Sequence, residues 1–279
     1  MPFTAKVITT KEWDAKSLLA GRLPFPDTFP DYIVIHQTDT PNSDQAISQK
    51  TLDGAKQFAR NIQHSHMNGN GWSDSGHNFL NTNGGFILEG RHGSLNAIQE
   101  GHCIRSAHAA QDPGKLAGGN SSPGIENEGN FMTFQMERTQ WDSLVTLCIS
   151  LCNSCGISPI DIKGHRDFSY TDCPGNWLYA QLPRLRQEVS DKLGMNLPLD
   201  ELSNDRPVRL LQLGSIGDDV LRLQQALIAK DFKPGSPDGV FGENTRGAVI
   251  AFQRFLGLSI IDGIVGPQTR AGLSLKPLK

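Results

Sequence analysis

Short apolar runs and longer amphipathic stretches alternate through the first 190 residues. Tyr32, Ile33, Val34 and Ile35 form a largely β-branched run that ends on His36. This predicts a buried strand with a polar residue at its end. Residues 44–62 have helical composition, and residues 68–76, rich in Gly, Asn and Ser, read as a loop. Asn78, Phe79 and Leu80, a turn over residues 81–85, and Phe86, Ile87 and Leu88 predict a hairpin. Residues 109–123 are loop-like, and a strand is predicted at Gly124, Ile125 and Glu126. Trp141, Leu144, Val145, Cys148, Ile149 and Cys152 share helical spacing, so residues 139–155 predict a buried helix. A further strand is predicted from Ile160 into a loop at His165, and a helix over residues 177–193. Strands alternating with helices imply an α/β domain over residues 1–190.

Residues 191–206 are polar, contain Pro198 and show no period, which predicts a linker. The chain then repeats itself. Asp238-Gly239-Val240-Phe241-Gly242-Glu243-Asn244-Thr245 returns 24 residues later as Asp262-Gly263-Ile264-Val265-Gly266-Pro267-Gln268-Thr269. Each copy reads as a turn in which Gly permits positive φ and Thr caps the following helix. Val220, Leu223 and Leu227 give one helical face, and Ala248, Phe252 and Phe255 another. Residues 207–279 are therefore expected to form a small three-helix domain. They carry 9 Lys/Arg against 6 Asp/Glu, whereas residues 1–206 carry 17 against 23, an asymmetry that favours an anionic target for the smaller part.

Composition narrows the classes of function. With 37% hydrophobic residues the chain can build a core. A net charge of -3 disfavours a dedicated nucleic-acid binder. No apolar run approaches the roughly 18 residues of a membrane span. The first 16 residues lack the apolar centre of a signal peptide. Five cysteines are an odd number for a disulfide framework. Cys148, Cys152 and Cys155 fall in the predicted buried helix and read as core residues, and Cys152 with Cys155 makes only a lone CxxC.

The remaining chemistry lies at strand ends. His36 closes one strand, His165 closes another, and Cys173 follows eight residues later. Two histidines and a thiolate make a three-ligand zinc set that leaves one position open for water, the catalytic arrangement. A histidine at a strand end is also compatible with a purely structural hydrogen bond, and the His–Cys spacing is weak by itself.

Several motifs in order resemble the zinc-dependent N-acetylmuramoyl-L-alanine amidases of the type-2 amidase and peptidoglycan-recognition-protein superfamily. They are residues 9–15 with Trp13, residues 33–38 around His36, His66-Met67, residues 71–79, Gly90-Arg91, residues 124–129, and residues 164–175. Residues 207–275 resemble a small three-helix peptidoglycan-binding domain. The resemblance implies a central mixed β-sheet flanked by helices. It also implies Zn2+ on His36, His165 and Cys173, and cleavage of the amide between N-acetylmuramic acid and L-alanine.

Glu126 takes the position of the family's general base, and a strand carboxylate tied to a backbone donor is its bland alternative. His77 stands where other members have a catalytic Tyr, a departure that leaves its role open. Thr171 takes the position of an oxyanion donor. His108, Trp72 and Asn78 are expected to line the substrate groove. Glu128 is the second candidate base or a supporting group, and Asp167 either orients a neighbour or caps its loop. His64, His92 and His102 read as surface or loop residues.

The expected partner is peptidoglycan, with no nucleic acid, no membrane span, and a monomeric chain. The expected place of action is the cell wall or periplasm, reached as a phage lysin, as a delivered effector, or by another route. The competing expectation is a non-catalytic peptidoglycan recognition protein of the same fold.

Overall fold

The computed structural model describes residues 2–18, 27–195, 197–204, 211–258 and 260–273. The chain divides into two compact units, the first holding residues 1–112 and 118–206 and the second residues 113–117 and 207–279. No helix among the described residues is long and apolar enough to cross a membrane.

In the first unit, strands β1 (Val7–Ile8), β3 (Ile33–Gln37), β4 (Phe79–Asn81), β5 (Ile87–Glu89), β7 (Gly124–Asn127) and β8 (Ile162–Gly164) form one sheet. Its order is β1-β5-β4-β7-β3-β8. Only the β4/β5 hairpin is antiparallel, so the sheet is mixed, as expected. β2 (Asp27–Thr28) and β6 (Cys103–Ile104) pair separately. Helices α1 (Leu52–His64), α2 (Ser94–Gln99), α3 (Arg138–Cys155), α4 (Asn176–Ala180) and α5 (Leu182–Lys192) flank the sheet, and the short α6 (Leu199–Leu202) follows.

Side chains alternate along a strand, which separates two chemistries here. Ile33, Ile35, Phe79, Ile87 and Ile125 join one core with Leu144, Leu151, Leu185 and Val189 of α3 and α5. On the other face Leu80 and Leu88 pack with Trp13 and with Ala55, Phe58 and Ala59 of α1. His36 and Glu126 are register partners, and Glu126 pairs in turn with Leu80. The polar pair thus continues a row whose outer end is core.

Three local expectations are corrected. The helix predicted over residues 44–62 starts only at Leu52. Ser43, Gln49 and Lys50 hold positive φ, and Ser48 is tied by its amide and hydroxyl to the buried Glu128 carboxylate. The helix predicted over residues 177–193 is broken between α4 and α5 at Gln181. The expected linker over residues 191–206 is docked on the first unit in its described part. Leu202 is buried, and the buried Arg186 donates to the carbonyls of Ile162 and Leu202 and to Asn204 Oδ1.

The second unit holds α7 (Asp218–Ala229), α8 (Glu243–Phe255) and α9 (Pro267–Leu273) around Leu211, Val220, Leu223, Leu227, Phe241, Val249, Phe252 and Val265. Phe255, expected on the core face, is 75% exposed, and Val249 takes the core position instead. The repeated turns are built alike. The amide of buried Gln224 donates to Asp238 Oδ1, the Val240 carbonyl and Thr245 Oγ1, and accepts from Gly239 N. Gln253 does the same with Asp262, Ile264, Thr269 and Gly263. The two Asp-Gly pairs are therefore structural turns, each read by one buried glutamine.

Candidate metal centre

His36 is buried on β3, His165 begins the turn after β8, and Cys173 ends the loop that follows. One donor atom from each lies within 4.8 Å of the others. Asp167 fixes that loop by accepting from Gly164 N at 2.8 Å and from Tyr179 Oη at 2.7 Å, so it caps the loop. Gln37 N points at Cys173 Sγ at 3.4 Å.

Hydrogen bonding sets the tautomer of His36. His108 Nε2 lies 3.0 Å from the Ser122 carbonyl, and His108 Nδ1 lies 3.0 Å from His36 Nε2. A carbonyl only accepts, so His108 carries its proton on Nε2 and accepts at Nδ1. His36 must then donate from Nε2, which leaves its lone pair on Nδ1, 3.7 Å from Cys173 Sγ. Gly124 permits this packing, because a Cβ there would fall 2.3 Å from the His108 ring. Two imidazole nitrogens and one thiolate, with the first imidazole preset by its neighbour, suit a zinc ion with an open position.

Beside this set stands a second cluster. Glu126 and His77 are both buried, and Glu126 Oε2 abuts His77 Nδ1. Among the described residues, Glu126 makes no hydrogen bond beyond that contact. The His77 ring lies 4.5 Å from that of His36. Burial pushes the Glu126 carboxyl up to about 8. His36, His77 and His108 are held well below the usual histidine range, first by burial and then by neighbouring histidines. His66 and His165 are lowered to about 4, mainly by burial. The protein therefore keeps five neutral imidazoles together at neutral pH.

This arrangement makes the metal-free protein acid-labile. The folded histidines titrate below the unfolded value of 6.5, so their contribution is complete above that pH and is lost as pH falls toward 4. Each such histidine gives a slope of up to about 1.4 kcal/mol per pH unit. Glu126 has the opposite sign, since its raised carboxyl contributes below 4.5 and loses that contribution as pH rises through about 8. Thermal melts of chelator-treated protein should show a maximum near neutrality and a steep fall on the acid side. A Tm unchanged between pH 6.5 and 4.5 would show that these histidines are not buried as neutral groups.

The remaining candidates separate. Thr171 Oγ1 accepts from Cys173 N at 3.2 Å, so its hydroxyl proton stays free to be donated. The half-buried Trp72 ring lies 4.9 Å from that of His66 and covers Gly76, which leaves only part of it for a ligand. Asn78 is corrected. It is fully buried, donating to Ser94 Oγ and the Ile104 carbonyl and accepting from Gly124 N, so it holds strands and cannot line a groove. His108 is corrected from the groove to a partner of His36, with both ring nitrogens engaged. Glu128 takes the supporting of its two expected roles. It accepts from Ser48 and from Asn83 N, in the loops behind the site. Among the histidines read as surface residues, His92 is half-buried and pairs with Asp74 at 2.9 Å. His66 carried no separate expectation, yet it stands within 4.8 Å of His77 and Glu126.

Residues 26–176 match the family model described as N-acetylmuramoyl-L-alanine amidase, and residues 216–273 match that of a peptidoglycan binding domain. The chain is 32% identical over 139 residues to a Bacillus licheniformis protein named "Probable N-acetylmuramoyl-L-alanine amidase", covering 46% of this chain and spanning 38% of that protein's length. It is 31% identical over 180 residues to mouse peptidoglycan recognition protein 1, covering 62% of this chain and 84% of that protein. Among solved structures, Drosophila peptidoglycan recognition protein SD shares the fold with a TM-score of 0.51 at 24% identity, over 65% of this chain and 95% of that one.

Proposed function

Because the chain belongs to the N-acetylmuramoyl-L-alanine amidase family and carries a peptidoglycan binding domain after it, we propose that it is a zinc-dependent hydrolase of peptidoglycan. The bond cut is the amide between N-acetylmuramic acid and L-alanine. One observation carries this reading. The His36, His165 and Cys173 donors converge beside Glu126, a buried carboxylate that has no donor other than His77 among the described residues. A carboxylate buried so incompletely satisfied is costly, and such groups mark functional sites.

His36 Nδ1, one nitrogen of His165 and Cys173 Sγ would hold the ion. Bound there, zinc supplies a Lewis acid for the scissile carbonyl and a water acidic enough to attack near neutral pH. Glu126 takes the proton from the attacking water and returns it to the leaving amine of L-alanine. His77 Nδ1, against Glu126 Oε2, shares the proton meanwhile, so the two act as one acid–base pair. The free hydroxyl proton of Thr171 is donated to the oxygen on which negative charge develops. The second unit, read as the wall-binding part, raises the local concentration of the catalytic unit on its polymer. Action on the cell wall follows from this reading.

His108 sets the tautomer of His36, so His108→Phe should weaken zinc binding by about 10–100-fold while the ring volume is kept. Competition against a chelating dye measures this, and an unchanged affinity would remove His108 from the site.

The function is tested by digesting purified peptidoglycan with zinc-loaded and chelator-stripped protein and identifying the soluble products by mass spectrometry. Stem peptides beginning with L-alanine, released only with zinc, are the expected result. Tight binding to sacculi without release, metal present, would instead make the chain a recognition protein.

A further inference from the structure

His66, His77 and Glu126 each offer a donor atom within 4.8 Å of the others, which by distance alone resembles a second metal site. The hydrogen bonding of His66 argues against that. Helix α1 ends in a wide turn, Ser65–Gly69, in which Asn70 N reaches back to the Ser65 carbonyl. This turn swings His66 so that its Nδ1 accepts from Gly76 N at 3.0 Å. A backbone N–H only donates, so the Nδ1 lone pair is occupied and the ring proton sits on Nε2. The Trp72 ring packs over His66 at 4.9 Å and lies against Gly76, where a Cβ would fall 2.4 Å from it. One contact thus fixes the tautomer and another fixes the ring. With its charged form disfavoured by burial, His66 offers a neutral N–H donor rather than a ligand lone pair.

Glu126 supplies the matching need. One carboxylate oxygen abuts His77 Nδ1, and no other donor among the described residues reaches the group. A carboxylate has about four acceptor sites, so this buried one is left short. We propose that His66 is a positioning residue for Glu126. Its Nε2–H, directly or through one bridging water, holds the carboxylate beside His77, so that the free lone pairs keep one direction. The proposal rests on the reading of Glu126 as the general base.

The test uses the full-length, zinc-loaded chain on a soluble muropeptide. His66→Phe, which keeps a ring but has no donor, should lower kcat by about 10–100-fold with KM and zinc content nearly unchanged, the mark of an interaction realised in the transition state. His66→Gln can accept from Gly76 and donate to Glu126, and it should recover most of the loss. The double variant His66→Phe/Glu126→Gln should be no slower than Glu126→Gln alone, because the two act as a unit.

A normal kcat in His66→Phe overturns the proposal. So does a loss confined to KM, which would mean direct substrate contact, and so do losses that multiply in the double variant. If Glu126→Gln itself retains full activity, the reading of the base fails instead, and the two failures are distinct. The wild-type protein gives an independent check. Nitrogen-15 histidine spectra should show His66 protonated on Nε2, and protonation on Nδ1 overturns the proposal even if the variants fail to fold.

Discussion

Glu126→Gln is expected to lower turnover by about 10²–10⁴, the range for a lost acid–base group, while zinc content stays the same. The substitution is nearly isosteric at a position only 6% exposed, so the packing of β7 against β3 and β4 is retained. Its amide oxygen can still accept from His77 Nδ1, which keeps that buried nitrogen satisfied. What is lost is the oxygen that can take a proton from water and give it to the leaving amine. The three proposed zinc donors are untouched, so the loss should appear in kcat with the metal still bound. In the metal-free protein the same change removes a carboxyl that burial raises to about 8. Stability above that pH should therefore rise relative to wild type, because the unfavourable ionisation is gone. Turnover near wild type would pass the role of base to His77.

His36 and His165 are visible as polar residues closing apolar runs, since a strand that must bury Ile33, Val34 and Ile35 does not end on a histidine without reason, whereas Cys173 and Glu126 take their proposed roles from the resemblance. That His36 and Glu126 share a row was not visible, because register is a property of two strands. Asn78 departs from its expected place for a related cause. An Asn beside His77 at a strand start looks like a groove residue until the neighbouring backbone claims its whole amide. His108 was placed in the right region and on the wrong side, since only Gly124 shows how closely its ring approaches β7. His66 sits in a turn of irregular period, where no apolar pattern points to it. The signal that could have found it is Trp72 and Gly76 ten residues or fewer downstream. The early helix failed because nothing local breaks residues 44–51. The interruption is tertiary and comes from buried Glu128 pulling on Ser48. In the second unit the turn repeat was plain, but the glutamines that read it were not. Gln224 stands 14 residues before its Asp, while Gln253 stands nine before.

Cys173→Ser is expected to abolish both zinc retention and hydrolysis. In the metal-free protein, burial pushes the Cys173 thiol up to about 12, so near pH 7 it is protonated. Zinc takes a thiolate, and that proton must leave when the metal enters. The histidines contribute none, since His36 and His165 are already neutral well below pH 7. Zinc uptake near neutral pH should therefore release about one proton, and affinity should rise about tenfold per pH unit over this range. Calorimetry in buffers of different ionisation enthalpy counts the proton directly. Serine keeps the size of the side chain and an acceptor for Gln37 N, so the loop should keep its shape. Its hydroxyl does not ionise at accessible pH, and the remaining two imidazoles make a weak site. After dialysis the variant should hold little zinc, release no proton on zinc addition and gain no thermal stability from it. Binding to insoluble peptidoglycan should persist through the second unit, which separates loss of chemistry from loss of folding. A Cys173→Ser protein that binds zinc as tightly as wild type, with the same proton release, would mean that the thiol is not a ligand.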